Sequence, residues 1–274
     1  MSDRHTLQFL VDLIDDDTAE VRQEILRELG NYGSDLEEDL QEFSDDLDEN
    51  KLKIIAPILQ ENRREWLVNN WNEWTYIRDE YESLETAMNL IAQFQYGPSI
   101  NKNLWYQLNV LSEDFKNKFP YGSEFDLANY LFKELMISGS KLDYYNPLNS
   151  NLLYAVESKQ GLPITLAILY MLVGERTGLV IEGCNFPGHF LAKIEFDKEV
   201  ILVDCFNGGR MIYESELLNM VKLSYEAIMK IINSHTSTRS IVRRVLNNLS
   251  NAYKQKGDNT NSEFFSNLIK STAW

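Results

Sequence analysis

The run Gly161 to Gly178, GLPITLAILYMLVGERTG, is apolar on nearly every side of the helix that its length and composition predict. Pro163 falls in the first turn, where a missing N–H costs nothing, and Gly178 falls just past the end. A helix without a polar face has to sit in the middle of a domain. Its apolar stretch, Leu162 to Val173, is too short to cross a bilayer, so no membrane role is expected. Straight after it the period changes to two. Val180 to Cys184, Phe190 to Phe196 and Val200 to Cys205 predict three strands, broken at Asn185-Phe186-Pro187-Gly188 and at Asp197-Lys198. A buried helix followed by antiparallel strands is an α+β order.

The rest of the chain reads as helix. Leu7, Leu10, Val11 and Ile14 recur at helical spacing, then Asp15-Asp16-Asp17-Thr18 supplies turn and cap chemistry. Val21, Ile25, Leu26 and Leu29 mark a second helix that ends at Gly30-Asn31-Tyr32-Gly33. The string LVDLIDDDTAEVRQEILRELGNYG resembles one HEAT repeat, and further helices are expected at roughly 34–44 and 49–61. Two more follow over 64–95, with Leu67, Trp71, Trp74 and Tyr81 on one stripe that reads as core. The turn-rich segment 95–103 marks a boundary. Helices continue over 104–140, and a polar loop covers 138–150. Helical periodicity returns over 215–232 and 238–274, where the last two helices resemble one tetratricopeptide pair. The expected division is a helical segment 1–95, a core 96–214 and a helical tail 215–274.

Charge is concentrated at the N-terminus. The chain carries a net −16, of which residues 1–50 supply −14, from 17 acids against three arginines. Such a surface repels phosphate, which argues against nucleic acid as a main ligand. It reads first as a solvated helical face and second as a docking face for a basic partner. The two cysteines, Cys184 and Cys205, are too few for a disulfide framework and fit free thiols in the cytoplasm. The first residues lack the basic start and cleavage site of a secretory signal. Three histidines show no zinc spacing, and no glycine-rich phosphate loop is present, so no metal or cofactor is implied.

His189 opens the second expected strand and Asp204 ends the third. On adjacent antiparallel strands the two can meet if register and face agree. The carboxylate then holds one imidazole nitrogen and leaves the other for proton transfer. That is two thirds of a nucleophilic triad, and the third member would stand at the start of the buried helix. Strand alternation turns Cys205 away from Asp204.

Three ordered motifs give these residues a family context: Asn149-Ser150 with Gly161-Leu162-Pro163-Ile164-Thr165-Leu166, then Phe186-Pro187-Gly188-His189-Phe190-Leu191, then Asp204-Cys205-Phe206-Asn207-Gly208-Gly209. Over about 146–210 the chain resembles the SirB-type branch of the transglutaminase-like superfamily. The resemblance implies a papain-like core, a central helix packed on a small antiparallel sheet. Transglutaminase-like catalysis, which the superfamily resemblance brings in, needs a Cys, His, Asp triad; His189 and Asp204 fill two places, and the Cys place falls on Pro163, the form that the SirB-type branch generally has. Proline keeps the helix start and removes the nucleophile. Thr165, in the same turn, and Cys184 are the substitute nucleophiles to consider, and Pro163, Asn149, Asn185 and Asn207 would line the cleft.

The expected function is a non-catalytic or highly diverged transglutaminase-like module that binds a protein or peptide. The alternative is an amide or ester hydrolase or acyltransferase using His189 and Asp204 with a non-standard nucleophile. A third reading is a scaffold whose contacts lie on the acidic helices.

Overall fold

The computed structural model describes residues 4–98, 103–214, 216–217, 223–272 and 274. The chain forms two compact units: Met1–Asn72 with Leu90–Asn101, and Glu73–Asn89 with Lys102–Trp274. In the first unit, α1 (Arg4–Asp12), α2 (Ala19–Gly30) and α3 (Glu49–Asn70) are joined by short helical turns over 33–46. Leu7, Leu10, Val11 and Ile14 bury against Ile25, Leu29, Leu36, Phe43 and Ile55, as the spacing requires. Thr18 does not cap α2 through its side chain. Asp16 accepts the Thr18 N–H instead, at 2.8 Å. Asp48 caps α3, accepting from the N–H groups of Asn50 and Lys51, both at 2.9 Å.

The helices expected to divide between 61 and 64 are one. α3 runs unbroken to Asn70, through Pro57. The aromatic stripe therefore does not ride on a single helix face. Leu67 lies on α3, while Trp74 lies on a 3-10 turn, Glu73–Tyr76, and is buried in the second unit against Trp274, with ring centroids 6.2 Å apart.

The second unit is built around the apolar helix. It comprises α4 (Glu80–Tyr96, whose last residues belong to the first unit), α5 (Leu104–Lys118), α6 (Glu124–Asn129), β1 (Ser138–Gly139), α7 (Leu152–Ser158), β2 (Gln160–Gly161), α8 (Pro163–Arg176), β3 (Glu182–Cys184), β4 (Leu191–Phe196), β5 (Glu199–Asp204), β6 (Arg210–Ile212), α9 (Tyr225–Ile232), α10 (Thr238–Gln255) and α11 (Asn259–Ser271). On α8 every residue from Pro163 to Gly174 is buried. It packs against α5, α6, α7, α10, β3 and β4. Its Tyr170 and Arg176 side chains are matched. Tyr170 donates its hydroxyl to the Glu124 carbonyl at 2.6 Å. Arg176, in the last turn, reaches Asn109 at 3.0 Å, Glu85 at 2.5 Å and the Leu172 carbonyl at 3.0 Å.

The four-stranded sheet runs β3-β4-β5-β6, antiparallel throughout. Asp197 and Lys198, both at positive φ, make the two-residue hairpin that closes on the Phe196–Glu199 pair. Both faces are covered. Cys184, Leu191, Leu202 and Ile212 meet Ile228 and Ile232 of α9. Alternation sends Ala192, Ile194, Ile201 and Val203 to the side of α8. The α+β architecture is therefore the one the sequence predicts, with three adjustments. The third strand ends at Asp204, so Cys205 begins a 3-10 turn, Cys205–Asn207. A fourth strand, β6, follows Gly208 and Gly209, which take φ of +75° and +69° to reverse the chain. The loop over 138–150 also contributes β1, which pairs in parallel with β2. No helix among the described residues is long and apolar enough to cross a membrane.

If α8 organises this unit, truncating it should be costly. Leu172→Ala, at a fully buried position, is expected to destabilise by about 2–5 kcal/mol in denaturant unfolding, whereas Val180→Ala, on the exposed segment beyond α8, should stay within about 0.5 kcal/mol.

Candidate functional site

The site forms where three loops meet the end of β5. Asp204 is its fixed point, 5% exposed. Its Oδ1 lies 2.8 Å from His189 Nε2 and accepts the Asn207 backbone N–H at 3.1 Å, while Oδ2 accepts from Asn207 Nδ2 at 2.8 Å. The Gly209 N–H returns to the Asp204 carbonyl at 3.0 Å. Burial opposes the charge, but the hydrogen bonds from His189 and Asn207 outweigh it and hold the carboxyl below the usual carboxylate range.

His189 does not open β4. It stands in the turn two residues before it, its N–H bonded to the Phe186 carbonyl at 3.1 Å. The proline and Gly188, at φ +76°, fold the chain back early, so the dyad is not a cross-strand pair. Register pairs Asp204 with Arg210 instead. The imidazole is partly exposed and stands edge-on to Phe206, with centroids 6.2 Å apart. An ionised Asp204 accepts a hydrogen bond from Nε2–H, which makes Nδ1 the acceptor in the neutral ring. Among the described residues Nδ1 has no partner.

The other expected residues are spread unevenly around this pair. Asn207 touches it and also lines a cleft of about 370 Å³ with Gly139, Lys141, Gln160 and Phe206. Asn149 is buried and fastens its own loop, donating from Nδ2 to the carbonyls of Asp143 at 2.6 Å and Tyr144 at 3.1 Å. Asn185 is exposed and accepts a hydrogen bond from Arg244. Pro163 starts α8 and is buried. Thr165 is buried as well; its hydroxyl has no hydrogen-bond partner and makes no bond to His189. Cys184 lies in the apolar cluster under α9, and burial pushes its thiol up to about 11, against a smaller opposing effect of Lys193. Cys205 is wholly buried, and desolvation raises its thiol well above the ordinary value, reinforced by Asp204. Both thiols are therefore protonated at neutral pH.

Tyr144 and Tyr145 carry no site signal in the sequence, and Phe206 appears there only within the Asp204–Gly209 motif. Phe206 forms one wall of the cleft and lies so close to Gly139 that a methyl group there would stand 2.4 Å from its ring. Tyr144 meets Phe206 edge-on at 6.1 Å and Tyr145 at 5.3 Å, and both tyrosines are exposed. A larger cleft, about 590 Å³, is lined by Asp79, Glu82, Glu85, Trp105 and Glu175 and shares no residue with the dyad. No group of three or more metal-ligating side chains occurs among the described residues.

Comparison with known proteins agrees with the motifs. The family described as the transglutaminase-like superfamily matches residues 106–247, the stretch that holds α8, the sheet and the dyad. A UPF0162 protein of Xylella fastidiosa (strain 9a5c) is 33% identical over 196 residues, covering 67% of this chain and 69% of that protein. F-box only protein 21 of Homo sapiens is 26% identical over 141 residues, 48% of this chain and 22% of that protein. No solved structure gives a significant match.

The depressed Asp204 carboxyl has a pH signature. It contributes stability that is fully present above the unfolded value of about 3.9 and is lost as pH falls through the lower folded value. Asp204→Asn should thus cost about 1–3 kcal/mol at neutral pH. The gap from wild type should close as unfolding is measured toward about pH 2–3.

Proposed function

The chain belongs to the transglutaminase-like superfamily, and from that membership we propose a non-catalytic or highly diverged module that binds a peptide or protein segment at the His189–Asp204 pair and the cleft beside it, in a cytoplasmic regulatory role. The observation that carries this reading is an imidazole held by Asp204 with Nδ1 free, in a chain whose thiols are both buried and protonated. The residue at the start of α8, where the family resemblance implies a cysteine, is Pro163. What remains suits recognition: Nδ1 as an acceptor for a ligand N–H, Asn207 and Phe206 in the cleft wall, and Tyr144 and Tyr145 exposed beside it.

The flanking segments belong to the same proposal. Helices in 1–95 are read as a HEAT-like acidic flank that keeps the protein soluble or docks a basic partner. The core is read as 96–214. The tail 215–274 is read as a single tetratricopeptide-like helix pair, a packing element and not a peptide-binding array.

Electrophiles that trap activated nucleophiles test the binding reading without a known substrate. In the native protein at neutral pH, iodoacetamide should leave Cys184 and Cys205 unmodified until the chain unfolds, and a fluorophosphonate should leave Thr165 unmodified. Labelling of Cys184 or Thr165 in the folded wild type, lost in His189→Ala, would establish an enzyme and overturn the proposal.

A further inference from the structure

Arg244 lies on α10, 55 residues beyond His189 in sequence, yet it is built into the loop that carries His189. Its guanidinium donates to Asn185 Oδ1 at the start of that loop and lies over the Phe190 ring at its end, 5.4 Å from the centroid. Tyr144, which leads through Phe206 back to His189, is close enough to interact with it electrostatically. The side chain is half-buried, and desolvation lowers its pKa.

Three other partly buried arginines of this protein have acids, Arg63 with Glu37, Arg64 with Glu61 and Arg176 with Glu85, while Arg22 donates to the Asp16 carbonyl. Arg244 has none among the described residues, and its one hydrogen-bond acceptor is a neutral amide. A guanidinium offers five N–H donors in a planar fork that matches a carboxylate. Holding it desolvated with an amide and an aromatic face leaves most of that capacity unused, at a cost that an incoming anion would offset.

We propose that Arg244 is the anion-recognising residue of this site, and that the ligand held at His189 presents a carboxylate to it. This deepens the peptide-binding reading and rests on it. The carboxylate comes from a peptide C-terminus or from an Asp or Glu side chain. His189 Nδ1 accepts a ligand N–H while the Arg244 fork takes the carboxylate, and Phe190 and Asn185 keep the guanidinium in place in the free protein. Preorganised in this way, the arginine gives up little side-chain freedom on binding.

The test uses the full-length chain and pools of random N-acetylated tetrapeptides, read by the His189 imidazole resonances, which are assigned by their loss in His189→Gln. Three pools are compared: free acids without Asp or Glu, amides without Asp or Glu, and amides carrying one Asp or Glu. The expected result is that at least one acidic pool shifts His189 at about 10-fold lower concentration than the neutral amides. Arg244→Gln should abolish that preference and Arg244→Lys should retain part of it. Which acidic pool acts distinguishes a terminal from a side-chain carboxylate. Equal shifts by all three pools in the wild type would overturn the role of Arg244 and leave the cleft reading standing. No shift by any pool would overturn both. The wild-type comparison needs no variant, so it stands even if removing the guanidinium from Phe190 destabilises the fold.

Discussion

The interaction on which the second unit depends is the burial of α8. A helix that is apolar on all sides can be stable in water only when every side is covered, and here that requirement recruits four helices, three strands and two 3-10 turns. The sheet lies across one flank, and its own outer face is then closed by α9. The polar groups that α8 carries into this environment are satisfied, Tyr170 by a carbonyl and Arg176 by Glu85 and Asn109. The Thr165 hydroxyl, in the first turn, is buried without a partner. On the proposed reading that exception lies near the place of the missing nucleophile, which fits the tendency of functional sites to carry locally unfavourable features.

The dyad depends on the sheet in turn. Asp204 is the last residue of β5, where pairing ends and the chain turns, so its carboxylate is free to collect hydrogen bonds from the turn it introduces. Asn207 fixes the carboxylate from behind, and His189 meets it from another loop. The imidazole thus owes its orientation to a buried anion that is itself held by the backbone. Such an arrangement serves either proton transfer or hydrogen bonding to a ligand. Two protonated, buried thiols and a proline at the helix start favour the second use.

Much of this was legible in the sequence, for identifiable reasons. The α8 boundaries follow from Pro163 and Gly178, and the β4–β5 hairpin from Asp197-Lys198 between period-two runs. His189 and Asp204 stand out as polar residues at the edges of apolar strands, and the turn Cys205–Asn207 with its glycine pair belongs to a family motif. What was misplaced lies where local signals are weak. Ser138–Gly139 is too short to show a period, so the parallel pairing with Gln160–Gly161 left no trace. The 61–64 break in α3 had no glycine or proline behind it, and the helix runs through. The position of His189 in a turn reflects how tightly Pro187-Gly188 fold back. Arg244 and Tyr144 reach the site through tertiary packing alone, from segments whose spacing encodes only helix or loop.

On the proposed reading, α8 and the dyad form an intact frame from which only the nucleophile is missing. This frame is tested most directly by Pro163→Cys, with thiolate absorbance followed against pH in the folded protein. Cys184 and Cys205 stay protonated through neutral pH, so new absorbance there reports the introduced thiol. The account requires that thiol to ionise well below the ordinary value of about 8.5, and to move back up when His189→Ala is added. An introduced thiol that titrates at or above the ordinary value, and does not respond to His189→Ala, would contradict it.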